Sequence, residues 1–396
     1  MCLCVPKKER VNLNAHLMGN KPKVLMIQRI FPSYRQFIYD KLADSFDFLL
    51  LHGDKDSEVK LAVRPYSRII KSWNYSRNQT HLLFNTFTPL FRFKPKAVIH
   101  ESSIGILTLL PMYVCAKLMG TKFILYGHGY NRFTGFNPDK SVIDWFRVFL
   151  MKRADATIVY THTDKRRMAQ FIPENKLFVA QNTLNTEPAK AIRTELDKIG
   201  KDAVKQKRGF LHLYNLIYIG RIVEEKQPEK LLDVFEILNK KMPHQIGIHF
   251  VGGGDTAFLE KRIKENHWEE AVTFHGWIHD GQTSGELLYA SDLMIMPGNV
   301  GLAVNHAFMF DCPVVTFLQT DMSPPEIEYI VDNETGFKIP NFSVEQMAQI
   351  IENYLINKDL QQSMQRALRH KMDVELIPAN MAKGFTDAVD YVLELG

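Results

Sequence analysis

Two cations follow an apolar, strand-like run in LIYIGRIVEEKQPEKLL: Arg221 comes directly after Gly220, and Lys226 stands on the loop that enters a helical stretch. Two positive charges at a strand end beside a helix start can hold a diphosphate, since each charge-assisted contact contributes roughly 1.5–3 kcal/mol. The alternative is a solvated loop with two surface charges. A second segment of this kind, PGNVGLAVNHAFMFDCPVV, runs from Pro297 to Val315. It opens after the apolar run Leu293–Met296, passes through Gly298 and Gly301, and then shows helical spacing up to a turn at Asp311. Strand, glycine turn and helix start leave backbone N–H groups, here of Gly301 and Leu302, and a positive dipole end at one point, which suits an anion. His306 can donate to a phosphate or hydroxyl there, and a histidine in that place is expected to titrate near neutral pH.

Other residues of chemical interest stand at similar places. Gly253 lies in a run of three glycines after Ile246–Val251, which permits close backbone approach to a ligand and equally makes a plain turn. His275, Trp277 and Ile278 follow the short apolar run Val272–Phe274. Glu326 and Glu328 lie on SPPEIEYIVDNETGF, a loop able to enter the same cleft or to remain exposed. In the first half, His128 sits between Gly127 and Gly129 after Phe123–Tyr126, so its ring can point into a cleft or serve as a structural histidine. Arg29, Tyr34 and Arg35 stand at the first strand end, as acceptor contacts or as surface charge at a helix start.

The elements that must position these residues are legible as apolar runs. Lys23–Gln28 is followed by helical spacing after Pro32, the opening of an α/β unit. Further runs are Phe46–Leu51, Ala97–His100, Thr157–Tyr160 and Leu177–Ala180, and then Leu213–Ile219 begins a second alternation that ends with Val314–Phe317. Strands alternating with helices imply parallel sheets, which bind ligands at the C-terminal strand ends. The expected division is a loose lead-in (1–20), a first Rossmann-like domain (21–190), a charged linker (191–210), a second Rossmann-like domain (211–375) and a C-terminal helix (376–396) that folds back over the first domain.

At 396 residues, 45% hydrophobic and 23% charged, the chain exceeds what one core usually fills. Its net charge of +5 hides a polarity, with 31 Lys and Arg against 16 Asp and Glu in residues 1–200, and 18 against 28 in residues 201–396. A basic first half implies an anionic partner, a phosphorylated glycan or an anionic membrane surface; basic residues lie among apolar ones at Arg147–Arg153 and Lys165–Arg167. No nucleic-acid module is recognisable, so nucleic acid is not an expected partner. Cys2, Cys4, Cys115 and Cys312 form no disulfide framework or zinc-ligand set, and suit a reducing cytoplasm. The longest apolar run, Ile104–Ala116, contains Pro111 and is shorter than the ~20 residues of a membrane span. The N-terminal residues lack the apolar core of a secretory signal.

In order and approximate spacing, GRIVEEKQPEKLL, FVGGGD, VTFHGWI, LLYASDLMIMPG, GLAVNHAFMFDCPVV and DNETGFKI resemble the C-terminal domain of the family-4 retaining glycosyltransferases. The first half resembles bacterial members that build surface polysaccharides more weakly, through QRIFPSYRQFIYDKL, ILYGHGYNR, RADATIVYTHTDKRRM and KLFVAQNTLNT. The resemblance implies a GT-B fold, two Rossmann-like domains facing each other across a cleft. It also implies a nucleoside-diphosphate-sugar donor, a glycan or lipid-linked acceptor, transfer with retention, and neither metal nor other cofactor. Arg221 and Lys226 would grip the diphosphate, His275 to Ile278 would lie near the base, and Gly298 to His306 near sugar, ribose and phosphate. His128 would orient the sugar, and Asn182 would bound the interdomain crossover.

One departure stands out. The family usually carries two acids, eight positions apart, where this chain has Gly298 and His306. It is either a variant donor site, with Glu326 or Glu328 in place of a lost acid, or a non-catalytic glycan- or nucleotide-binding subunit that supports a partner transferase. Asp54-Lys55-Asp56 forms a D-x-D of the metal-dependent single-domain type, which two α/β halves do not fit.

Overall fold

The computed structural model describes residues 21–54, 61–75, 80–130, 135–318 and 323–394. Cys2, Cys4, the lead-in and two residues of the D-x-D lie outside them.

The first domain is built on strands β1 (Lys23–Gln28), β2 (Asp47–Gly53), β3 (Ser67–Ile70), β6 (Ala97–Glu101), β7 (Lys122–Tyr126), β8 (Ala156–Val159) and β9 (Leu177–Val179), with a hairpin of β4 (Ser72–Tyr75) and β5 (Thr80–Leu83) beside them. Their order is 3-2-1-6-7-8-9, all parallel. Both faces are covered, which is why β1 reads as a continuous apolar run rather than an alternating one. Val24 and Met26 enter one core and Leu25 and Ile27 the other, as the two-residue period of a strand requires. Helices Gln36–Ser45 and Pro378–Glu394 close the first face. Helices Leu109–Leu118 and Val142–Arg153 close the second.

The second domain repeats the plan with β10 (Tyr214–Ile219), β11 (Ile246–Val251), β12 (Val272–Gly276), β13 (Leu293–Ile295), β14 (Val314–Phe317) and β15 (Gly336–Ile339), ordered 12-11-10-13-14-15 and all parallel. This is the doubly wound order of a Rossmann sheet, and the fold is GT-B.

Residues 191–210 lie largely within helices Thr186–Ile199 and Lys201–Lys207, whose Leu196 and Val204 are buried in the second domain's core. Their charges are paired: Lys201 and Lys205 with Asp292, Lys207 and Arg208 with the buried Glu286. The chain crosses back in the last helix, where Met381, Phe385 and Val389 enter the first domain's core. The two crossing segments meet where the Thr183 hydroxyl donates to the Leu376 carbonyl.

Candidate functional site

The C-terminal strand ends of both sheets converge on Asn182, at the crossover. Its backbone carbonyl accepts from Tyr329 Oη (3.0 Å) and Asn305 Nδ2 (3.2 Å), and its Nδ2 donates to Glu326 Oε1 at 2.6 Å. Glu326 is 3% exposed. Two residues on, Glu328 reaches the first domain, where it accepts from the Thr161 hydroxyl (2.7 Å) and the Thr163 amide (3.2 Å). The short turn Pro325–Tyr329 therefore clasps the first domain with two carboxylates.

Arg35 faces the same junction from the other side. Its guanidinium donates to Tyr126 Oη (3.0 Å), Tyr160 Oη (3.3 Å) and Asn182 Oδ1 (3.3 Å). Burial works against its charge, but the surrounding tyrosines hold its pKa well above the usual value. Tyr34 is 37% exposed at the mouth; its phenol is raised by burial, and Glu326 acts on it across the junction. Arg29 turns aside to the end of β6, where its Nε meets Glu101 Oε1 at 2.5 Å and its amide meets Oε2 at 2.8 Å. His128 follows β7; its ring lies 4.5 Å from that of Tyr160, with Nδ1 4.0 Å from Oδ2 of the buried Asp164. Tyr160 thus links His128 to Arg35.

In the second domain, Lys226 ends the turn Glu224–Lys226, and its Nζ donates to the Asn299 carbonyl. The Gly298 amide donates to the Lys226 carbonyl (3.1 Å), which ties the two loops together. The Lys226 ammonium is lowered in pKa first by burial and then by Arg221, with Glu326 acting in the opposite sense. The partly buried Lys226 and the exposed Arg221 are therefore within electrostatic reach of each other, a standing attraction for an anion. Gly301, at φ +55°, makes the turn that brings Leu302 to the start of helix Ala303–Met309.

The glycine run is a packing device. Gly252 and Gly254, at φ +138° and +149°, lie so close to the carbonyls of Gly220 and Ile222 that a Cβ at either would collide with them, and a Cβ at Gly253 would strike the Trp277 indole. This seats the loop carrying Arg221 against the one after β11. Trp277 is itself exposed, and Ile278 packs on the core.

Two histidines meet other side chains of the second domain. His275 Nε2 lies 3.1 Å from His249 Nδ1, and His249 Nε2 lies 3.1 Å from Asn215 Oδ1. Asn215 Nδ2 donates to the His212 carbonyl, so its Oδ1 accepts; His249 then carries its proton on Nε2 and accepts from His275. Burial, with His275 adding to it, pushes His249 down to about 3, and burial also lowers His275. His306 faces Ser284, with Nε2 to Oγ 3.5 Å and its ring edge-on to Phe310; burial lowers its pKa and favours the neutral ring.

Tyr126, Tyr160, Asn305 and His249 were not singled out in the sequence. Tyr126 and Tyr160 end or follow parallel strands, a signal that could have found them, whereas the reach of Glu328 to Thr161 has no local signature. Among the described residues, no three His, Cys, Asp or Glu side chains are grouped to hold a metal ion.

Residues 201–371 match the family of group 1 glycosyl transferases. Among curated proteins, none is significantly similar to the chain in sequence. In structure, the chain is similar to a glycosyltransferase from Rickettsia africae, with a TM-score of 0.65 and 16% identity over 96% of this chain and 100% of that one. A sucrose-phosphate synthase from Thermosynechococcus elongatus gives 0.65 and 13% over 95% and 100%. Anabaena HepE in complex with UDP-glucose gives 0.60 and 13% over 93% and 99%.

Proposed function

We propose that this protein is a glycosyltransferase that moves a hexosyl or deoxyhexosyl group from a nucleoside-diphosphate donor on the second domain to a glycan or lipid-linked acceptor on the first. Configuration at the anomeric carbon is retained, and the transfer is a step in surface-polysaccharide biosynthesis. The observation that carries this reading is that Arg221 and Lys226 follow β10 within electrostatic reach of each other, with Lys226 tied to the donor-side loop at the Asn299 carbonyl. Such a pair stabilises the charge that develops as the diphosphate departs, and it does so without reorganising. The acceptor hydroxyl enters on the face the diphosphate leaves, and no protein nucleophile is involved. Glu326 orients the sugar beside Lys226, and His128, steadied by Asp164, orients it from the first domain. Gly298, Gly301 and Leu302 line the sugar and phosphate side, with His306 toward the ribose. Gly253, His275, Trp277 and Ile278 form the base side. Arg29, Tyr34 and Arg35 belong to the acceptor side, Arg35 acting through Tyr160 and Asn182. The UDP-glucose of Anabaena HepE makes UDP-sugars the first donors to test. The site takes no metal or other cofactor in this reading, and the protein works in the cytoplasm, in peripheral contact with an anionic membrane.

The Lys226→Ala variant tests the assignment. A lost charge-assisted contact of ~1.5–3 kcal/mol weakens nucleoside-diphosphate binding about 10- to 150-fold. Unchanged turnover and donor affinity would overturn it. The absence of a side chain at Gly298 favours a second reading, a binding subunit without turnover; transfer by the purified chain alone excludes that reading.

A further inference from the structure

Helix Leu109–Leu118 of the first domain is apolar on the side that faces solvent as well as on the side that faces the sheet. Its exposed positions are Leu110, Pro111, Val114 and Leu118, the last 83% exposed, and Leu107 extends the stripe one turn back. Its one charged residue, Lys117, is turned to Asp155. A helix that is apolar all round is normally buried all round. Helix Val142–Arg153 lies beside it, joined where the Tyr113 hydroxyl donates to the Arg153 carbonyl. It adds Val142 (81% exposed), Ile143 and Trp145 (55% exposed) to the same outer face.

We propose that this face of the first domain docks on an anionic membrane by burying the two apolar stripes among lipid acyl chains. The inference rests on the peripheral contact proposed above and gives it a location and a means. Charge selects a membrane over another occupant. Lys140, Lys152 and Arg153 are exposed beside the second stripe, and Arg92, Lys94 and Lys96 are exposed around Phe91 at the end of helix Phe87–Phe93. Of the nearby acids, Asp144 is buried against Arg147, Asp155 pairs with Lys117, and Asp139 lies at the margin. An apolar centre with a basic rim and an aromatic side chain at the surface matches an anionic lipid interface. A symmetric pairing of two copies would set basic rim against basic rim. The sequence placed this contact at Arg147–Arg153 and Lys165–Arg167; within the first of these, Arg147 is held by Asp144, and the Arg153 guanidinium sits 3.7 Å over the Phe149 ring.

Sedimentation of the full chain with vesicles of phosphatidylcholine, with and without phosphatidylglycerol, tests this. The wild type sediments with the anionic vesicles, and Leu110→Glu with Leu118→Glu reduces its partitioning at least about tenfold. The same change at the exposed Leu211 of the second domain leaves binding intact. Circular dichroism of the double variant matches the wild type, since both side chains are exposed. Acyl-chain bromine quenches tryptophan emission on binding, and Trp145→Phe removes that quenching. If the wild type binds no vesicle, the membrane contact itself is overturned. If the double variant binds as the wild type does, the contact stands and this face is overturned. A dimer in light scattering that the double variant abolishes, without vesicle binding, overturns the proposal in favour of a second copy.

Discussion

Acidification should loosen the second domain through His249 before carboxylate chemistry dominates. The ring is stacked 3.7 Å from that of Phe210 and held between Asn215 and His275, with its one free nitrogen already accepting. A second proton would have to enter against the N–H of His275, in a place with little water. The folded pKa of about 3 lies below the unfolded value of about 6.5. The unfolded chain therefore takes the proton first. Stability is complete above pH 6.5 and is lost as pH falls toward 3, at about 1.4 kcal/mol per pH unit and about 5 kcal/mol in all. In His249→Gln, which does not titrate, the stability deficit relative to the wild type at pH 7 should shrink by about 1.3 kcal/mol at pH 5.5 and by about 1.9 kcal/mol at pH 5. Urea unfolding at a series of pH values reads this difference, and the imidazole shifts of labelled histidines report the site directly. A His249 titration midpoint near 6.5, or a deficit that is constant with pH, would refute the reasoning.

Other expectations follow from the same geometry. Gly252→Ala sets a Cβ against the Gly220 carbonyl at a φ that costs ~1–3 kcal/mol in strain alone, so it should lower the melting temperature and weaken nucleotide binding by shifting the Arg221 loop. Arg35→Met removes the donor shared by Tyr126, Tyr160 and Asn182; at ~1.5–3 kcal/mol for a hydrogen bond to a charged group, stability should fall by at least about 3 kcal/mol in denaturant titrations. Glu328→Ala removes two contacts at the start of helix His162–Met168 and should cost ~1 kcal/mol, with nucleoside-diphosphate affinity unchanged.

The parallel sheets were legible because both their faces are covered, so β1, β11 and β14 stand in the sequence as largely apolar runs with their observed limits. Strand β15 was missed: Gly336, Lys338 and the preceding turn give it no apolar run, and it owes its place to pairing with β14. The charged stretch before Gly209 looked like a connection because its apolar residues occupy one helix face and its lysines meet Asp292 and Glu286 some eighty positions later. The same limit applies to the site. Glycines and cations at strand ends are local features. That Arg35 enters a cage of tyrosines, that His275 turns to His249, and that Glu326 meets Asn182 are consequences of how the domains close.

The central claim, sugar transfer from a nucleoside-diphosphate donor bound at Arg221 and Lys226, is tested most directly by incubating the purified chain with a panel of such donors and glycan or lipid-linked acceptors. Chromatography follows the free nucleoside diphosphate, and NMR reads the anomeric configuration of the product. The account predicts acceptor-dependent release from a specific donor, with retained configuration and loss of release in Lys226→Ala. A wild-type chain that neither binds nor consumes any donor in the panel, or a Lys226→Ala chain that turns over as the wild type does, would contradict it.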